Sequence, residues 1–327
     1  AVGRTQAGEL TTVKTVNEQA ASYSKGTNQW RKFHFESTLN YDRTFAEDHR
    51  TSALVYYYMS DEKASAESTT NMNAIPKRYQ GLSARLTYGF RDTYMIDVNF
   101  GYTGSENFQP GRRFGFFPSV ALGWVPTQYE FMKNAKWLNF LKIRASYGTV
   151  GNDRIANKRF PYLTIVNRGS NSPWGSTSQE TLIESYIGAD NLEWEVATKF
   201  DLGIEGKLFD NRIDFVVDFF NDVRSGIYQR RVQVPSYVGL TSMPYSNVGE
   251  MRSYGADGNI SYTERLTKDL SLTLRGNFTY SKNDVDNWEE ANPAYPYQEH
   301  AGYPNGVVRG YHALGLFKDD YDIETSP

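Results

Sequence analysis

Apolar and polar residues alternate with period two along most of this chain, the pattern of strands that show different faces to different surroundings. Over 194–204 the even positions are Trp194, Val196, Thr198, Phe200, Leu202 and Ile204, and the odd ones include Glu195, Lys199 and Asp201. The same alternation runs through 33–41, 82–90, 94–102, 141–149, 213–219 and 270–280, and more weakly through 53–59, 116–124 and 254–262. It predicts about ten strands and an all-β chain.

Alternation alone fits a soluble sandwich with its apolar side inward or a membrane barrel with its apolar side outward. Three features favour the barrel. Globular strands run about 3 to 10 residues, whereas 193–209 keeps its alternation for its full length. The aromatics Tyr88, Phe90, Tyr94, Phe100, Tyr102, Trp194 and Tyr280 fall toward strand ends on the apolar face, as interfacial girdles do. Short joins near 45–50, 91–92, 210–211 and 264–269 alternate with long ones at 60–79, 103–113, 150–192, 226–250 and 283–310, the rhythm of tight periplasmic turns and long outer loops. The join 126–140 is predicted to hold one or two helical turns. Residues 1–30 read as a lead-in or outer loop and 31–327 as a partial barrel.

Composition adds exclusions. The 327 residues carry 35 Lys and Arg against 38 Asp and Glu, without basic blocks, so no nucleic-acid surface is expected. There is no cysteine, which removes disulfides, thiolate metal sites and Cys nucleophiles. No apolar run approaches the roughly 20 residues of a spanning helix. A mean hydropathy of −0.61 looks soluble, yet an alternating wall with polar loops gives the same average. The start at Ala1 lacks the pattern of a signal peptide, which is read as absent or removed.

Several stretches resemble the SusC-like branch of the TonB-dependent outer-membrane transporters: Leu141 to Asn152, Asn191-Leu192-Glu193-Trp194-Glu195 leading to Asp201-Leu202-Gly203, Leu208 to Ile213, Asn247-Val248-Gly249 with Tyr254-Gly255, and Gly310-Tyr311 with Gly315-Leu316-Phe317. The order and spacing match over roughly 80–320. The resemblance implies an antiparallel transmembrane barrel of 22 strands, of which this chain supplies about ten. It further implies import of oligosaccharides or peptides, an outer-membrane location, a SusD-like surface lipoprotein partner and energy from the TonB complex. Plug, TonB-binding segment and terminal aromatic strand are not found in the sequence. The chain is therefore expected to be part of a longer protein, because an open half-barrel would expose edge groups to lipid.

Chemistry-bearing motifs are sparse. His34, His49, His300 and His312 lack metal-ligand spacing, and Asp320, Asp322 and Glu324 lack the rest of a calcium loop. No nucleophile elbow or phosphate loop is present, so neither enzyme activity nor a cofactor is expected. The sequons at Asn259 and Asn277 fall within strands, and Arg230-Arg231 reads as a solvated pair. The ligand or partner candidates are loop residues: Tyr162, Asn171, Trp174, Tyr186, Tyr237, Tyr245, Trp288, Tyr295 and Tyr297, with Ser172 and Ser176 beside Trp174. Flat rings suit sugar C–H faces, with amides and hydroxyls completing the hydrogen bonds. The plainer reading is packing of loop on loop or against the lipoprotein. A soluble or secreted β-sandwich glycan-binding module is the alternative function.

Overall fold

The computed structural model describes residues 2–4, 7–12, 23, 25–26, 29–65, 72, 75–154, 159–313 and 315–325. Ten long strands dominate: β1 (Gln29–Phe45), β2 (His49–Ser65), β3 (Lys77–Phe90), β4 (Tyr94–Ser105), β5 (Phe114–Trp124), β6 (Leu138–Asn152), β7 (Glu195–Leu208), β8 (Ile213–Arg230), β9 (Tyr245–Arg265) and β10 (Ser271–Asn287). They form one antiparallel sheet in strict chain order, β1 to β10, each strand bonded to the one before it.

The strands run further toward the long loops than the apolar alternation predicts. β2 reaches Ser65, β8 reaches Arg230 and β9 begins at Tyr245, inside ranges read as loop. Their outer ends, such as Ser60 to Lys63 and Gln229-Arg230, bring polar residues to both faces, so the hydrophobic alternation breaks down while the backbone ladder continues.

Short turns close one end of the sheet. Consecutive non-glycine residues take left-handed φ at Ala46 and Glu47 (45° and 63°), at Arg91 and Asp92 (51° and 48°) and at Phe209 to Asn211 (52° to 62°). Such turns match the right-handed twist of the flanking strands. The join between β5 and β6 holds a 3₁₀ turn, Pro126–Gln128, and one α turn, Glu130–Lys133, as the sequence suggests. At the opposite end, the loop between β6 and β7 carries two small hairpins, Ile165–Arg168 with Leu182–Tyr186 and Ser172–Trp174 with Thr177–Gln179.

Cross-strand partners share a face, so the register sorts every residue to one side. Row by row, Leu86, Val98 and Leu122 stand over one face with Ile143, Phe219, Ile260, Leu274 and Phe278, while Arg85, Asn99, Arg144, Asp201, Asp218 and Asp257 stand on the other. The apolar face is uncovered: Leu39, Leu122, Leu274 and Phe278 are 70, 55, 57 and 50 % exposed. The buried apolar residues, such as Phe108, Val125, Leu138 and Leu192, lie in loops or at strand ends. A sandwich needs a second sheet on the apolar face. Among the described residues none lies there, which disfavours the β-sandwich alternative.

The edge strand β10 is partly covered. Val285 N–H donates to the Tyr303 carbonyl at 3.0 Å and its own carbonyl accepts Gly302 N–H at 2.8 Å. The backbone N–H of Asn305 bonds the Asn283 side chain at 2.7 Å.

Candidate functional site

The polar face is organised around Arg144 on β6. Across β7 it faces Gly203, where a Cβ would stand 2.7 Å from Arg144 Nε and 2.3 Å from Asp218 Oδ1. The missing side chain lets the guanidinium lie across β7 to β8. Arg144 donates to Glu205 at 2.9 Å, to Asp201 at 3.3 Å and to Asp218 at 2.8 Å, and Lys142 joins Glu205 at 3.4 Å. Further along the same face Lys199 pairs with Asp222 at 3.0 Å and Arg85 grips Asp97 through two nitrogens. Aromatic rings also lie over glycines on this face: Tyr58 over Gly81 and Phe220 over Gly255.

A second cluster forms where the wall meets the long loops. β5 carries Pro118, which has no N–H to offer, and its ladder with β6 stops at Ser119 and Gly148. The Phe117 ring fills the space above Gly115 and Gly151 and meets Trp194 edge-on at 5.3 Å. Trp194 stacks on Phe108 at 4.8 Å, and Phe108 packs with Ala189 and Leu192. Phe108 and Leu192 are fully buried, so the 106–113 loop and the end of the 153–194 loop share a small core.

Polar bonds fix this core to the strands. Asn247 accepts from Glu193 N–H at 3.0 Å and donates to the carbonyls of Glu193 and Gly226 at 3.0 and 2.7 Å. Gly226 sits at φ 67° in a bulge of β8, the conformation that turns its carbonyl to the amide. Glu195 accepts from Tyr228 N–H at 3.1 Å and from Asn152 at 2.8 Å. Ser105 donates to Asp153 at 2.7 Å, and Gln109 to the Asp190 carbonyl at 2.8 Å.

The loop candidates divide into two groups. Tyr186 is buried: its hydroxyl donates to the Pro161 carbonyl at 3.0 Å and meets the Tyr228 hydroxyl at 2.6 Å. Burial pushes its phenol pKa above the ordinary value. Tyr245 stacks on Tyr228 at 5.0 Å and lies 6.1 Å from Tyr186. Tyr162 is half-buried beside Phe160, and Trp288 half-buried beside His300. In contrast, Trp174 and Tyr237 are 78 and 88 % exposed, and Asn171, Ser172 and Ser176 are exposed as well. Tyr295 and Tyr297 form a stacked, exposed pair with centroids 5.5 Å apart. Thus Tyr186 and Tyr245 come together, Tyr295 and Tyr297 come together, and the rest stand apart.

Beyond the strands, Glu289 joins two outer loops. Its carboxylate meets Arg231 and accepts the backbone N–H groups of Val232 and Gln233 at 3.2 and 3.3 Å. Burial works to raise its pKa, but these bonds prevail and hold the carboxyl below its usual range.

The family model for the TonB-dependent receptor-like β-barrel matches residues 4–311. The chain belongs to that barrel family. Among curated relatives, the TonB-dependent receptor P39 of Formosa agariphila is 26 % identical over 92 % of this chain and 30 % of its own length. The TonB-dependent receptor SusC of Bacteroides thetaiotaomicron is 28 % identical over 62 % of this chain and 20 % of its own. The solved RagAB peptide transporter shares the fold at a TM-score of 0.67, with 23 % identity over 85 % of this chain and 33 % of that one. The TonB-dependent barrel relatives are therefore much longer, and this chain spans about a third or less of each.

Three of the five segments that carry the SusC-like resemblance converge on the two clusters. Arg144 and Gly203 make the ion-paired wall, while Asn152, Leu192, Trp194, Glu195 and Asn247 make the loop anchor. Reading the loops for aromatic platforms passes over these positions. The signal that finds them is a charge or amide placed on the polar face of adjacent strands.

Proposed function

We propose that the chain forms part of the wall and outer loops of a SusC-like transporter in the Gram-negative outer membrane, importing oligosaccharides or peptides with energy from the TonB complex. The observation that carries this reading is the sheet's two faces. One is an exposed apolar face with aromatic residues near both ends, and the other is a charged face whose ions pair across strands. In a barrel the first meets lipid and the second lines the lumen. A charge on the lipid face near the midplane costs about 2 to 4 kcal/mol, and from Leu82 to Leu86, from Ile96 to Phe100 and from Leu274 to Tyr280 that face carries none.

Selectivity then belongs to the lumen and outer loops. Trp174, Tyr237 and the Tyr295–Tyr297 pair, being exposed, are positioned to meet cargo or a SusD-like lipoprotein, whereas Tyr186 and Tyr245 brace the loops. No catalytic step is assigned. The test is uptake of labelled oligosaccharide and peptide libraries by cells with and without the intact gene, with and without a protonophore. Loss of uptake on deletion and on uncoupling supports the reading, and uptake unchanged by both refutes it.

A further inference from the structure

On the apolar face, at the loop end of β1 to β5, the register builds a groove of about 620 Å³. One cross-strand row is Phe35, Met59, Gln80, Gly104 and Phe114, and the next row outward is Phe33, Asp61 and Arg78. Gly104 has no side chain, and the Phe114 ring lies over it to form an apolar floor. Outward of Phe33 stand Arg31 and its cross-strand partner Lys63. The Arg31 guanidinium lies over the Phe33 ring at 4.9 Å, and Arg78 bonds Asp61 at 2.8 Å.

Height and charge both bear on what occupies the groove. From Tyr41, at the turn end of the apolar stretch of β1, to Phe33 is eight residues. At about 3.4 Å per residue and about 40° of tilt this is roughly 21 Å of membrane depth, nearly the whole apolar band of about 25 Å. The groove thus begins among outer-leaflet acyl chains and ends at the headgroups. Four cations, Arg31, Lys63, Arg78 and Arg113, stand in or beside it against the two acids Asp61 and Glu106, the latter also paired with Arg159 at 3.8 Å. Arg31 and Arg78 remain 62 and 59 % exposed despite their pairing with Asp61. Beyond the apolar stretch of β9 and β10, by contrast, the charges balance: Arg252 and Lys282 face Asp284 and Asp286, with Arg252 paired to Asp286 at 3.4 Å.

We propose that this groove binds a phosphate-bearing lipid of the outer leaflet. Acyl chains lie on Phe33, Phe35, Met59 and Phe114, and the phosphate is held by the Arg31 and Arg78 guanidinium groups, which suit a phosphate's oxygens, and by the Lys63 ammonium. The site rests on the membrane orientation of the wall and not on the nature of the cargo.

Native mass spectrometry of the intact protein, released from micelles holding equimolar dimyristoylphosphatidic acid and dimyristoylphosphatidylcholine, tests it. The wild type should retain phosphatidic acid at least about fivefold over phosphatidylcholine. Arg31→Gln with Arg78→Gln should bring the ratio near one, and Arg252→Gln should leave it unchanged. A wild-type ratio near one, or equal loss in the Arg252→Gln protein, overturns the proposal. If the double variant does not assemble, Lys63→Gln replaces it: a ratio at least halved supports the site, and an unchanged ratio overturns it.

Discussion

Replacing Arg144 by Met removes one cation from three carboxylates at once. At about 3 Å and an effective dielectric near 20, each pair carries about 5 kcal/mol of attraction before desolvation is counted. Most of that is offset by dehydration and by water reaching the site, since the Arg144, Glu205, Asp201 and Asp218 side chains are 35, 27, 29 and 18 % exposed. A net of about 1 kcal/mol per contact remains, so the substitution is expected to cost about 2 to 3 kcal/mol. Part of that is the mutual repulsion of the three acids, with Asp257 beside Asp218 on the next strand. The assay is denaturant unfolding of the intact protein in lipid vesicles, followed by tryptophan fluorescence. Adding Asp218→Asn to the Arg144→Met protein removes one of the stranded charges and should recover about 1 kcal/mol. Arg85→Met, which breaks a single pair with Asp97, should cost less than about 1 kcal/mol. A loss below about 0.5 kcal/mol for Arg144→Met, or no recovery in the double variant, would refute the reading of a cooperative cluster.

Other expectations follow from single contacts. Gly255→Ala places a Cβ 2.0 Å from the Tyr280 carbonyl of β10, so it should cost at least the 1 to 3 kcal/mol typical of overpacking (about 2) and reduce assembled protein on heat-modifiable gels; unchanged assembly counts against the register. Asn247→Ala removes three hydrogen bonds and should speed amide exchange at Glu193 by at least about tenfold, with exchange at the β3–β4 turn unaltered. Glu289 has a folded pKa below its unfolded value of about 4.3, so its contribution is present above that pH and lost as pH falls through the lower folded value. Limited proteolysis of the 231–244 and 288–300 loops should therefore rise in that acid window, and Glu289→Gln should make cleavage largely independent of pH there.

The wall was legible in the sequence because each strand carries its two environments in alternate residues. Leu270, Leu272 and Leu274 against Ser271 and Thr273 give both the strand and its facing. The outer strand ends were not, since residues such as Glu62, Arg230 and Ser246 are polar whether in ladder or loop, and only pairing distinguishes the two. Loop rings were legible as aromatic but not as exposed or buried. Tyr186 and Tyr237 look alike in sequence, yet one donates to a carbonyl inside a packed loop and the other stands in solvent. Gly203 and Gly226 are similar cases: one clears a path for Arg144 and the other supports a bulge, and both depend on partners distant in sequence.

The central claim is that one face of this sheet meets lipid and the other lines a lumen. Thr273 and Leu274 are adjacent on β10, on the polar and apolar faces respectively. Arginine at each position, scored by the amount of folded intact protein recovered from outer membranes, tests the facing directly. Leu274→Arg should cost up to about 2 to 4 kcal/mol and sharply reduce assembled barrel, whereas Thr273→Arg should assemble at near wild-type levels; the reverse order would contradict the assignment.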